Sequence, residues 1–276
     1  MSNNDFLEKY EISNEIIGNG SFGVIKKAKT IDGKNVAIKI VDKKKITPLL
    51  LSSVLDECQI LSKLDHKNIL KVIEWNEDEN NYYCVMDYIK DGDLYSLLKE
   101  REFSKDEAFH ILDQLLDAVE YLHNNNIIHR DIKPENILVS NSDSMDIVLS
   151  DFGFATFQEL NSKLLKDWPG TTLYASPELI SARPYRGRKS DIWAIGVTFY
   201  VILTGEFPFY SEDRRETIRQ ILKDDIEFNV KGLTKESFVL LTLMLNKNPS
   251  KRISIKQIRE TKSFSIMKNN YKKNHH

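Results

Sequence analysis

A chain of 276 residues has room for one large domain or two modest ones, and 41% hydrophobic with 29% charged residues are the proportions of a globular protein that buries a core. A net charge of -2, from 39 basic and 41 acidic residues, excludes bulk attraction to nucleic acid or to an anionic membrane. The longest apolar run, Ile192 to Leu203, is shorter than the about 20 residues that cross a bilayer, and MSNNDFLEKY lacks the apolar core of a signal peptide.

Cys58 and Cys84 each lie in apolar surroundings and read as buried free thiols of a reducing compartment. The expectation is a soluble, intracellular monomer, cytoplasmic or nuclear. The lysine runs Lys43 to Lys45 and Lys272 to Lys273 read as solvated faces.

Along the chain, Tyr10 to Ile17, VIKKAKT (Val24 to Thr30) and NVAIKIV (Asn35 to Val41) read as strands, the last two joined at the turn Asp32 to Lys34. Thr47 and Pro48 offer an N-cap and a first-turn proline for a helix carrying Leu51, Val54, Leu55, Cys58 and Leu61 on one face. Two more strands are expected near Ile69 to Trp75 and Asn81 to Asp87. Together these make a small, mainly antiparallel sheet with one helix packed on it.

After Asp91-Gly92 the pattern turns helical. Ser104 and Glu107 form a capping box, opening a helix with Ala108, Ile111, Leu112, Leu115, Val119 and Leu122 on one face and Asn124 to Asn126 at its end. Asp191 is expected to cap the helix of the long apolar run, with Thr204-Gly205 closing it. Leu233 to Leu245 and Ile253 to Ile258 supply two more helices. The change in character near residue 90 marks a lobe boundary.

Three stretches carry chemistry. GNGSFG (Gly18, Asn19, Gly20, Ser21, Phe22, Gly23) fits G-x-G-x-x-G with Val24 and Ile25 after it, but a strand follows where a dinucleotide-binding fold needs a helix. That favours a glycine flap whose backbone amides approach phosphates. Lys39 sits in the apolar strand between Ile38 and Ile40, where a lone cation would be costly. It wants a carboxylate, with Glu57 on the following helix as the candidate, and the pair could hold nucleotide phosphates. HRDIKPEN (His129 to Asn136) crowds ions between two apolar segments, which by itself could be a solvated turn.

Taken with Asp151-Phe152-Gly153 and GTTLYASPE (Gly170 to Glu178), these motifs in this order make the chain resemble a eukaryotic-type serine/threonine protein kinase, nearest to the calcium/calmodulin-dependent and checkpoint-like branch. The resemblance implies an α+β, bilobal fold: an N-terminal tail at residues 1–9, a kinase domain at 10–264 with lobes of about 10–90 and 91–264, and a basic tail at 265–276. It implies ATP with Mg2+ or Mn2+ as cofactors and protein substrates as partners.

The resemblance also implies roles. Asp131 is the base that accepts the substrate hydroxyl proton, Lys133 neutralises the γ-phosphate, Asn136 and Asp151 hold the metal ions, and Lys39 with Glu57 holds the α- and β-phosphates. Adenine is expected against Ile17, Ile25, Ala37 and Leu138, with Met86 at the back and the Asp87 carbonyl and Ile89 amide on its edge. Asp93 meets the ribose or a basic substrate side chain, or simply caps a helix. His129 reads as a packed support.

Lys133 in IKPEN and Thr171, expected to bridge Lys133 and Asp131, point to serine or threonine acceptors. Glu135 and Asp93 suggest Arg or Lys upstream of the acceptor. Ser176-Pro177-Glu178 departs from the usual Ala-Pro-Glu, but Glu178 should still pair with Arg252. Asp167 stands where relatives carry a phosphorylatable threonine, so it either supplies a built-in carboxylate to Arg130 or is an exposed loop residue. Ser162, Thr171 and Thr172 are candidate phosphosites. The alternative from another class is a pseudokinase, a nucleotide-binding scaffold that transfers no phosphate.

Overall fold

Period-two alternation in the first third builds a sheet with two different faces. The computed structural model describes residues 6, 8–20, 23–45, 60–160, 162–166, 170–228 and 230–275, with the backbone alone at 19–20. Strands β1 (Tyr10–Gly20), β2 (Gly23–Thr30), β3 (Asn35–Asp42), β4 (Val72–Glu77) and β5 (Asn81–Asp87) form one antiparallel sheet in the order β1-β2-β3-β5-β4. Gly33, at φ 84°, makes the tight turn between β2 and β3.

On one face Val36, Ile38, Tyr83 and Val85 join Ala28, Tyr10 and Phe6 in a core. On the other, Ala37, Cys84 and Met86 join Leu70 and Val148. The sheet therefore has an outer core of its own and an inner face turned toward the second lobe.

Two expectations shift here. The strand read from Ile69 begins at Val72, because Leu70 N–H instead donates to Leu149 O at 2.9 Å and Ile69 bridges Leu149. Within the stretch read as an N-terminal tail, Phe6 is 3% exposed and packs on the rings of Tyr10 and Tyr83 at 5.4 and 5.6 Å. Phe6→Ala is expected to destabilise the fold by about 3 kcal/mol, as a cavity left by a buried phenyl does. Chemical denaturation checks this, and an unchanged midpoint would mean that the ring is dispensable. The helix read from Thr47 lies outside the described residues apart from its helical end at Ile60 and Leu61.

The second lobe is helical. Its elements are α1 (Leu94–Glu100), α2 (Lys105–Asn124), α3 (Pro177–Ile180), α4 (Gly187–Thr204), α5 (Arg214–Lys223), α6 (Lys235–Met244), α7 (Ile255–Glu260) and α8 (Lys262–His275). Two antiparallel strand pairs sit between α2 and α3: β6 (Ile127–Ile128) with β9 (Thr156–Phe157), and the hairpin of β7 (Ile137–Asn141) with β8 (Asp146–Leu149). The capping box of α2 forms as read, Ser104 accepting from Glu107 N–H and the Glu107 carboxylate accepting from Ser104 N–H. Gly205, left-handed at φ 75°, closes α4.

Asp191 corrects the sequence reading. Arg186 is the residue before α4 and Asp191 lies inside it, 1% exposed, because its carboxylate has buried partners elsewhere in the lobe. The segment 265–276, read as a basic tail, is helical to His275. Phe264 is buried at its base against Phe109, Tyr271 stacks on His110 at 4.9 Å, and Lys268 pairs with Asp113.

Candidate active site

The segment His129 to Asn136 connects β6 to β7 and is held from below by Asp191. The Asp191 carboxylate accepts the backbone N–H of His129 at 3.1 Å and of Arg130 at 3.0 Å, and the His123 ring donates to it at 2.9 Å. Arg130 is fixed in the left-handed region at φ 69°, a conformation costing about 1–3 kcal/mol that persists where its surroundings over-determine it. His129 is fully buried, its Nε2 donates to Ser150 O at 3.0 Å, and its ring meets Phe152 edge-on, which makes it the packed support read from the sequence.

Asp131 is 5% exposed, and its Oδ2 accepts from Lys133 Nζ at 2.7 Å and from Asn136 Nδ2 at 2.9 Å. Asn136 Nδ2 also donates to Asp131 O, so its amide is oriented and Oδ1 is turned away from Asp131. Ser150 N–H and Oγ both donate to Asn136 O, which sets Asp151 beside Asn136. Asp151 is left-handed too, at φ 53°, and its Oδ1 accepts Gly153 N–H at 3.3 Å. Thr171 Oγ1 lies 3.3 Å from Lys133 Nζ. Asp131, Lys133, Asn136, Asp151 and Thr171 thus share one site.

Lys39 reaches the same side of the molecule through the pleat. It is 5% exposed and pairs in register with Cys84, on the face that carries Ala37 and Met86. That face packs on β8 through Val148, with Ile25, Ile89 and Leu138 closing the cluster. Five residues expected around adenine therefore meet in one apolar surface. Ile17 is 37% exposed on β1, next to Gly18, which pairs with Ile25, while Asn19 pairs with Val24. A Cβ on Gly23 would lie 2.2 Å from Ile40 O, so close approach of β3 demands glycine there whatever the loop binds.

The remaining residues divide. Asp93 caps α1, with Oδ1 accepting Ser96 N–H at 2.8 Å and Oδ2 accepting Ser96 Oγ at 3.0 Å. The Asp87 side chain pairs with Lys34. Arg130 Nε donates to Phe154 O at 2.5 Å. Glu135 is exposed near Tyr174, whose phenol is pushed upward by burial and further by the charges of Glu135, Tyr95 and Asp131. Glu178 and Arg252 form the expected pair, buried and bidentate. Ser21, Phe22, Glu57 and Asp167 lie outside the described residues. Sequence reasoning missed His123 and the anchoring role of Asp191, although an aspartate at the head of so apolar a run was itself a signal that a polar partner waits there.

A protein kinase domain family profile matches residues 11–264. The chain is 36% identical over 253 residues to NUAK family SNF1-like kinase 1 of Mus musculus, covering 91% of this chain and 38% of that protein. It is 33% identical over 258 residues to CBL-interacting protein kinase 5 of Oryza sativa subsp. japonica, covering 92% and 55%. It is 36% identical over 276 residues to calcium-dependent protein kinase 5 of Plasmodium berghei (strain Anka), covering 98% and 48%. The chain thus spans between about a third and just over half the length of these relatives. Among the described residues no helix is long and apolar enough to cross a membrane.

Proposed function

The chain belongs to the protein kinase domain family, and from that premise we propose that it transfers the γ-phosphate of ATP to serine and threonine hydroxyls of proteins. The observation that carries this reading is the fixed cluster of Asp131, Lys133, Asn136 and Asp151, supported from behind by Asp191 and His129. Phosphoryl transfer spreads charge over the moving group, so the protein's contribution is positioning and electrostatics, which needs several ions held in place before substrate arrives.

In this reading Asp131 accepts the hydroxyl proton and Lys133 faces the transferred phosphoryl group. Lys39 contacts the α- and β-phosphates, with Glu57 as its partner. Asn136 and Asp151 offer oxygen donors that fit a hard cation such as Mg2+, which takes its other ligands from phosphate and water. A metal held there would neutralise phosphate charge. Ile25, Ala37, Met86, Ile89 and Leu138 form an apolar surface suited to a flat base, with the Asp87 carbonyl and Ile89 amide toward its edge. The backbone of Gly18 to Gly23 covers the phosphates.

Two finer features belong to the same reading. Glu135 selects a basic side chain upstream of the acceptor, and it carries more of that selection than Asp93, whose two oxygens are engaged in capping. Asp167 supplies a carboxylate to Arg130, ordering the segment without phosphorylation but more weakly than a phosphate would. The scaffold reading is disfavoured because Lys39, Asp131, Asn136 and Asp151 are all present.

Purified protein with Mg-ATP and a positional-scanning library of serine, threonine and tyrosine peptides tests this. Transfer to serine or threonine, strongest with Arg or Lys upstream, is the expected outcome. Nucleotide binding with no transfer to any peptide would favour the scaffold.

A further inference from the structure

Residues 158–166 are strapped to the segment that leads into α4. Leu165 and Tyr185 exchange both backbone hydrogen bonds at 3.0 Å, Gly187 N–H donates to Gln158 Oε1 at 2.8 Å, and Arg186 Nη1 donates to Ser162 O at 2.8 Å. Tyr185 is 3% exposed and turns inward. Around this isolated bridge, Pro184 and Arg186 on one segment and Leu164 and Lys166 on the other are all exposed. Lys163 and Arg183 are exposed beside them.

The result is a ridge with Lys163, Lys166, Arg183 and Arg186 in one short ribbon, on a chain whose net charge is -2. None of the four pairs with a carboxylate of the described residues. Glu159 is the acidic residue of the described stretch 158–166, and Glu178 is committed to Arg252. Thr171, beside Lys133, follows Lys166 by a chain segment that cannot exceed about 18 Å when extended. One peptide of modest length can therefore touch both places.

We propose that this ridge is a docking site for an acidic stretch of a peptide substrate, separate from the contacts around the acceptor. The inference rests on the kinase reading. Exposed cations on a ribbon, with Arg186 held to Ser162 O, give attraction rather than an enclosed pocket, so the selectivity is for charge and not for sequence.

The test compares phosphorylation of three peptides that share one acceptor segment, joined to a Glu/Asp block, to a length-matched Ser-free neutral block, or to nothing. Expected is a KM about five- to tenfold lower for the acidic block, the sum of several exposed pairs, lost in Lys166→Glu/Arg183→Glu and abolished by high salt. The KM of the neutral-block peptide stays unchanged in that variant, which also reports that it folds. Equal KM values for the two blocks, or an advantage retained by the variant, would overturn the inference. Fluorescence anisotropy with a labelled acidic block lacking hydroxyl residues separates the two readings. Variant-sensitive binding without phosphorylation of any peptide defeats the kinase reading alone, and phosphorylation without acidic preference defeats the docking ridge alone.

Discussion

Asp131→Asn is expected to fold normally, bind ATP with little change in affinity, and lose about 10³-fold in turnover, the middle of the range ascribed to a positioned general base. The geometry explains why so conservative a change is so severe. Among the described residues, both side-chain donors that reach Asp131, from Lys133 and Asn136, converge on Oδ2. An asparagine amide placed there must turn its carbonyl oxygen toward those two donors to avoid a clash of N–H groups. Its NH2 then points where the substrate hydroxyl is expected, offering a second donor where an acceptor is needed. Stopped-flow measurement of phosphoryl transfer beside equilibrium nucleotide binding checks both halves. A variant that keeps more than about a tenth of the wild-type rate would remove Asp131 from the role of base, since such groups contribute 10²–10⁴-fold.

What could be read in the sequence follows from the range of the interactions involved. The box Ser104–Glu107 and the stop at Gly205 were legible because each is completed within three or four residues. HRDIKPEN and Asp151-Phe152-Gly153 were legible because their chemistry fixes residue types at fixed spacing. Asp191 was misread because an aspartate ahead of an apolar run looks like a cap, while its partners His123, His129 and Arg130 lie more than 60 positions away. Phe6, a lone ring in a polar segment, carries no period that could mark it as core. The left-handed backbone at Arg130 and Asp151 was equally hidden, since neither is glycine and the conformation is imposed by tertiary contacts. The residues that meet in the cluster stand in short motifs, and His129 within one of them could be read as a support, whereas the distant supports Asp191 and His123 could not.

The largest effect on stability is expected at Glu178 and Arg252. Their side chains are 6% and 0% exposed, with Nη1–Oε1 at 2.7 Å and Nη2–Oε2 at 2.9 Å. Arg252 also donates to Lys189 O at 2.6 Å and to Asn246 O at 3.1 Å, and its guanidinium lies over the Trp193 ring. A buried pair of this kind need not stabilise more than apolar residues of the same shape would, but removing one partner leaves a buried charge uncompensated. Arg252→Ala is accordingly expected to cost about 3–5 kcal/mol, a large share of a typical 5–15 kcal/mol, and to lower the Tm by about 10 °C. Arg252→Ala/Glu178→Ala should cost less than the two single changes added together, the signature of direct coupling. The pH dependence has a definite sign. Burial alone would raise the Glu178 carboxyl, yet the Arg252 hydrogen bonds and charge outweigh it and hold the group below its ordinary value of 4.5. A depressed folded-state value means that the pair's contribution is complete above 4.5 and is lost as pH falls through the lower folded value. The stability gap between wild type and Glu178→Gln, measured by urea denaturation, should therefore be constant near neutrality and narrow below 4.5. A gap that stays constant through that acidic window would show that the pair's charge is not what ties α3 to the segment around Arg252.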